Sequence, residues 1–173
     1  MSRGSLTTGS YLTMALVWAL VAGTGLYYAN AAAMPMKISA TLSGSQEVPA
    51  KQTMGTGMFG GTITGNNKSI TYRLTFSHLT TRATMAHIHV GARGANGPVV
   101  VWICGGGGRP SCPAGGGTVT GTITGANVLA VGGIKGGDLG SLIKAITSGN
   151  TYANVHTTKN PAGEIRGQIQ TAM

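Results

Sequence analysis

Three histidines stand where their imidazoles can act together: His87 and His89 in Ala86-His87-Ile88-His89-Val90, and His156 in Asn154-Val155-His156-Thr157. Both segments read as strands, and residues two apart on a strand share a face with a spacing of about 6–7 Å, so His87 and His89 can reach one ion. A third ring, from His156 on a neighbouring strand, would complete a three-nitrogen site for copper or zinc, metals that imidazole suits. The competing reading is that these are buried polar side chains bonded to backbone at a sheet end. His78 follows a strand alone and reads as structural or exposed.

Little else in the chain offers chemistry. Glu47, Asp138 and Glu164 are the only acidic residues and form no pair at a useful spacing, which leaves general acid–base hydrolysis without its groups. Neither a Gly-x-Ser-x-Gly elbow nor a phosphate loop is present. Glu47 reads as a turn residue, and Glu164 shares a strand face with Arg166. Cys104 and Cys112 are the only cysteines, with glycines, a proline and a serine between them. In an oxidising compartment this predicts a disulfide closing a short loop, since zinc cysteines usually stand closer together and need further ligands.

Residues 1–33 have the layout of a cleavable signal peptide: a short polar start with Arg3, an apolar run from Tyr11 to Leu26, and small residues at Ala29-Asn30-Ala31-Ala32-Ala33. The alternative is an uncleaved anchor, but roughly 16 apolar residues fall short of the ~20 that a spanning helix needs. No stable membrane span is therefore expected after cleavage, and the address is secreted or periplasmic. Residues 34–173 suit one domain. Twelve Lys and Arg against three acids give a net charge of +9, which favours an anionic partner or serves solubility alone. The basic residues are scattered singly with few aromatics beside them, so no nucleic acid is expected as partner.

Thirty glycines and abundant Thr, Val and Ile predict strands and tight turns. Alternation places strands at 36–42, 56–64, 69–77, 84–90, 98–103, 117–124, 128–131, 151–157 and 164–171, with 56–77 and 117–131 as hairpins. The 98–103 segment is apolar on both faces and reads as a central strand. One helix is expected after Gly136-Gly137: Asp138 caps it, and Leu139, Leu142, Ile143 and Ile146 recur at helical spacing. The fold class is all-β, an antiparallel Greek-key-like sandwich or flattened barrel of about eight or nine strands with one short helix, its interior shared by Ile70, Tyr72, Leu74, Val99, Val101 and Val155.

Four ordered segments carry a family resemblance: Leu42-Ser43-Gly44-Ser45-Gln46-Glu47-Val48-Pro49, Ala86-His87-Ile88-His89, Gly94-Ala95-Asn96-Gly97-Pro98-Val99-Val100 and Gly149-Asn150-Thr151-Tyr152-Ala153-Asn154-Val155-His156-Thr157. With the closing Asn160-Pro161-Ala162-Gly163-Glu164-Ile165-Arg166-Gly167, the chain resembles the CHRD (chordin-type) domain across nearly all of 36–170. That resemblance implies an extracellular module. A weaker similarity, to copper/zinc superoxide dismutase, rests on His87 and His89, the Gly137–Gly140 segment, Val155-His156, and Ala162-Gly163 before Arg166. It implies copper on His87, His89 and His156, with Arg166 guiding an anion. No bridging histidine lies between His89 and His156, so no zinc subsite is implied. Two functions of different class follow: an extracytoplasmic copper-binding module, and a non-enzymatic module that binds an envelope, matrix or protein partner through the Gly-rich loops at 91–97 and 105–117.

Overall fold

A computed structural model describes Met1 and residues 34–172, so the expected signal peptide lies outside the described residues. Nine strands form one antiparallel sheet: β1 (Met36–Ser43), β2 (Thr56–Ile63), β3 (Ile70–Ser77), β4 (Ala83–Val90), β5 (Val99–Cys104), β6 (Gly117–Ile123), β7 (Thr151–Thr157), β8 (Ile165–Gln168) and β9 (Gln170–Thr171). The order is β5-β4-β7-β8-β1-β2-β3-β6, with β9 also on β1, and the sheet curls into a nearly closed barrel. Among the described residues no helix is long and apolar enough to cross a membrane.

The barrel wall has two characters. In β3, Ile70, Tyr72, Leu74 and Phe76 are buried while Thr71, Arg73 and Thr75 are exposed, the alternation of a sheet with one wet face. Phe59, Ile38 and Leu42 on β2 and β1 face the same interior. On β7, by contrast, every residue is buried. Ala153 and Val155 join the core, so Tyr152, Asn154 and His156 must point to the opposite face, which loops cover. That covered outer face, shared with β4 and β8, positions the site.

The helix α1 (Leu139–Thr147) forms as its sequence dictates: Asp138 accepts from Ser141 N at 2.9 Å, and Leu139, Leu142, Ile143 and Ile146 are buried. Three expectations are corrected. The 117–131 hairpin does not form, because the Thr124–Asn127 capping box winds Gly125–Asn127 into a 3-10 turn and β6 pairs in register with β3. The 98–103 strand is not central but an edge; Leu129 N bonds to Val100 O, and this connection together with the cysteine loop covers it, which is why both faces are apolar and Val99 is only half-buried. The final strand divides at Ile169, whose N–H bonds to Thr151 O, and the chain then moves from β7 to pair with β1. Cys104 and Cys112 are disulfide-bonded as expected.

Candidate metal centre

Register brings the three histidines together. β4 pairs with β7 so that His87 faces Asn154, His89 faces Tyr152 and Met85 faces His156; His156 is thus diagonal to His87 on the covered face. One ring nitrogen from each of the three lies within 4.8 Å of the others. The side chains are only 3, 8 and 6 % exposed for His87, His89 and His156. His78 lies elsewhere, exposed beyond β3 with Nδ1 against Ser77 Oγ at 3.0 Å.

Backbone carbonyls set the tautomers. His89 Nδ1 is 2.9 Å from Gly97 O and His156 Nδ1 is 3.0 Å from Pro161 O. A carbonyl only accepts, so each Nδ1 carries the proton and each Nε2 keeps its lone pair. His87 Nδ1 then donates to His156 Nε2 at 3.1 Å, which leaves the lone pair of His87 on Nε2. His87 Nε2 and His89 Nε2 are both buried without a hydrogen-bond partner, a costly arrangement in a native interior. Outer carbonyls that orient ligand imidazoles through their second nitrogen are the usual support of a metal site.

The electrostatics agree with neutral rings. Burial, reinforced by His156 and His89, pushes His87 down to about 3, and burial pushes His89 down to about 4 against the raising effect of its Gly97 bond. Burial lowers His156 as well, opposed by its Pro161 bond. At neutral pH all three are uncharged donors, as metal ligation requires.

Aromatic side chains and loops wall the cluster. Trp102 meets the His87 ring edge-on with centroids 4.2 Å apart, and Tyr152 stacks on His89 at 4.7 Å. Sequence reasoning missed Tyr152, Trp102 and Glu47; the motif glycines and prolines around 97 and 161 signalled the turns that aim carbonyls at the rings. Arg166 is 1 % exposed and lies 3.7 Å over the opposite partner in this stack, the Tyr152 ring. Its terminal nitrogens donate to Ala95 O at 2.6 Å and Asn96 Oδ1 at 3.0 Å, bracing the 91–97 loop. Asn154 donates to Glu47 at 2.6 Å. Burial pushes the Glu47 carboxyl up to about 7 against the lowering effects of Asn154 and Arg166.

Glu164 is bound by hydroxyls and amides and not by Arg166, the residue with which the sequence places it on one strand face. No curated protein and no solved structure matches the chain. The CHRD domain family matches residues 38–169, a span that holds every strand that carries the histidines, their carbonyl supports and the disulfide. By that match the chain belongs to the CHRD domain family.

Proposed function

We propose that this domain is an extracytoplasmic copper-binding module whose ligands are His87, His89 and His156. One observation carries the reading: two buried imidazole nitrogens, His87 Nε2 and His89 Nε2, have no partner, and beside them His156 Nε2 accepts from His87 Nδ1, a bond that its lone pair would exchange for the metal. Three neutral nitrogen donors without thiolate or carboxylate suit a borderline divalent ion, and among such ions copper binds nitrogen sites most tightly. Copper would supply Lewis-acid or one-electron chemistry there. The chain's residues contribute neutral donors, orientation by the Gly97 and Pro161 carbonyls, and a nearly dry surround. Family membership and the disulfide fit an extracellular address.

Arg166 belongs to this reading as an anion contact. With Arg93, Gln46, Gln168 and Glu47 it lines a cavity of about 280 Å³, and because burial pushes the Glu47 carboxyl up to about 7, a small anion there would meet two guanidinium groups beside a largely protonated acid at slightly acidic pH. A second reading, the interaction module, is supported by the 91–97 loop: Arg166 and the Asn96 bond to Val48 O hold it, while Arg93, Gly94 and Asn96 remain exposed.

Copper titration of the purified protein against a competing chromophoric chelator tests the first reading. One equivalent bound by the wild type, and none by the triple His87→Ala, His89→Ala, His156→Ala variant, is expected. Equal uptake by both would refute it. A protein partner that survives copper removal but is lost when 91–97 is exchanged would favour the second reading.

A further inference from the structure

A second cavity, of about 470 Å³, lies between the cysteine loop, the start of β4 and the segment that follows β7. Its lining combines Arg82 and Arg109 with the hydroxyl residues Thr84, Ser111 and Thr158, beside the disulfide. None of the lining residues is acidic. Two buried polar atoms of these side chains, Arg109 Nη2 and Thr84 Oγ1, have no hydrogen-bond partner. Arg109 is therefore not an ordinary solvated surface cation: part of its guanidinium is withdrawn from water with nothing to receive its N–H bonds, a costly state that an anionic acceptor relieves.

The surroundings hold this arrangement in place. Arg109 N donates to Gly106 O, Gly105 N donates to Pro110 O, and the Cys104–Cys112 bond closes the loop that carries them. Gly105 sits against Thr84 O and the Met85 backbone, with a positive φ of 81°, so the loop lies directly on the start of β4. Arg82 and Thr84 come from that strand and the turn before it, and Thr158 N bonds to Arg82 O. The cations thus line one cavity from two segments stapled by different bonds.

We infer that this cavity is a binding site for a phosphate or sulfate group, with Arg109 and Arg82 as the charged donors and the Thr84 and Ser111 hydroxyls completing the shell. Guanidinium forks match the oxygens of such anions, and hydroxyls add neutral donors without repelling a second charge. The cavity exceeds the size of a bare oxyanion, so the group can be carried on a small organic ester as readily as free. The site is separate from the histidine cluster and does not depend on its reading.

The test is titration of the purified protein with inorganic phosphate, inorganic sulfate and glycerol phosphate, followed by amide chemical shifts, against sodium chloride at matched ionic strength. Saturable shifts centred on 82–84 and 105–112 are expected with the oxyanions and not with chloride. Arg109→Gln should weaken binding at least tenfold, Thr84→Val by a smaller factor, and Lys68→Gln, at the distant β2–β3 turn, not at all. Tighter binding of glycerol phosphate than of phosphate would assign the site to an ester headgroup, and the reverse to the free ion. Should Arg109→Gln fail to form the disulfide, Thr84→Val decides alone. Shifts that track ionic strength without saturating, or equal weakening by Lys68→Gln and Arg109→Gln, would overturn the proposal.

Discussion

Glu164 and the three histidines meet on β7 at consecutive residues, His156 and Thr157, and both groups are buried, yet they differ in how burial is met. The Glu164 oxygens accept from Thr53 Oγ1, Thr80 N, Thr80 Oγ1, Thr157 Oγ1 and Asn160 Nδ2 at 2.6–3.1 Å. Burial alone would raise its carboxyl, but those bonds, led by Thr53 and Thr157, hold it down at about 2. His87 and His89 instead have one nitrogen each held and a lone pair on Nε2 with nothing to meet, while His156 is bonded at both nitrogens. A closed polar cluster ties strands together; an open one of the same burial keeps donor capacity for something that arrives.

Breaking the open cluster should have the largest effect, and it should be on binding. His87→Ala or His156→Ala is expected to lower copper affinity about 1,000-fold, close to 4 kcal/mol, while metal-free stability in urea changes by no more than about 2 kcal/mol. Breaking the closed cluster should do the reverse. Glu164→Gln puts an amide NH₂ where donors already point, and is expected to cost about 3 kcal/mol in urea unfolding with copper affinity changed less than about threefold in the folded fraction. Equal stability losses in the two clusters would erase the distinction.

The clusters also separate with pH. With His87 and His89 held at about 3 and 4, an unfolded chain takes up protons below about 6.5 that the folded metal-free chain refuses. Stability is therefore full above about pH 6.5 and is lost progressively as the pH falls through that window. Glu164 adds its own loss only below about 4.3, as the pH falls towards about 2. Copper binding should hold to about pH 5, where free histidines would already be protonated. Thermal melts with and without copper between pH 3 and 8 check both; an acid loss centred near 6.5 for copper would contradict the burial argument.

Glu47 should give the smallest effect, with the opposite sign. Its folded carboxyl holds a proton up to about 7, so its contribution to stability falls as the pH rises from about 4.3 to that value. Glu47→Gln keeps an acceptor for Asn154 and should gain about 1 kcal/mol at pH 8 after solvent screening, and nothing at pH 4. A gain at both pH values would mean that the carboxylate charge is not its source.

Much of this was legible because strand periodicity is local. The alternation in 70–77 placed Ile70, Tyr72, Leu74 and Phe76 inside, and the two-residue spacing placed His87 and His89 on one face. The 117–131 hairpin was misread because glycine-rich turn chemistry does not say which strand β6 will choose; the β3 ladder won over a local partner. The both-sided apolar pattern of β5 records covering loops, which periodicity cannot distinguish from neighbouring strands. Arg166 was placed beside the histidines by sequence, but its commitment to Ala95 and Asn96 depends on a loop 70 residues away in the chain. The Glu164 hub likewise gathers hydroxyls from Thr53, Thr80 and Thr157, scattered in sequence and joined only by folding.

The open cluster is tested most directly by electron paramagnetic resonance of the protein loaded with one equivalent of cupric ion. A single species with hyperfine structure from three imidazole nitrogens is expected, unchanged in Glu164→Gln and reduced by one nitrogen in His89→Ala. A signal with fewer than three nitrogens in the wild type, or one that His89→Ala leaves intact, would contradict it.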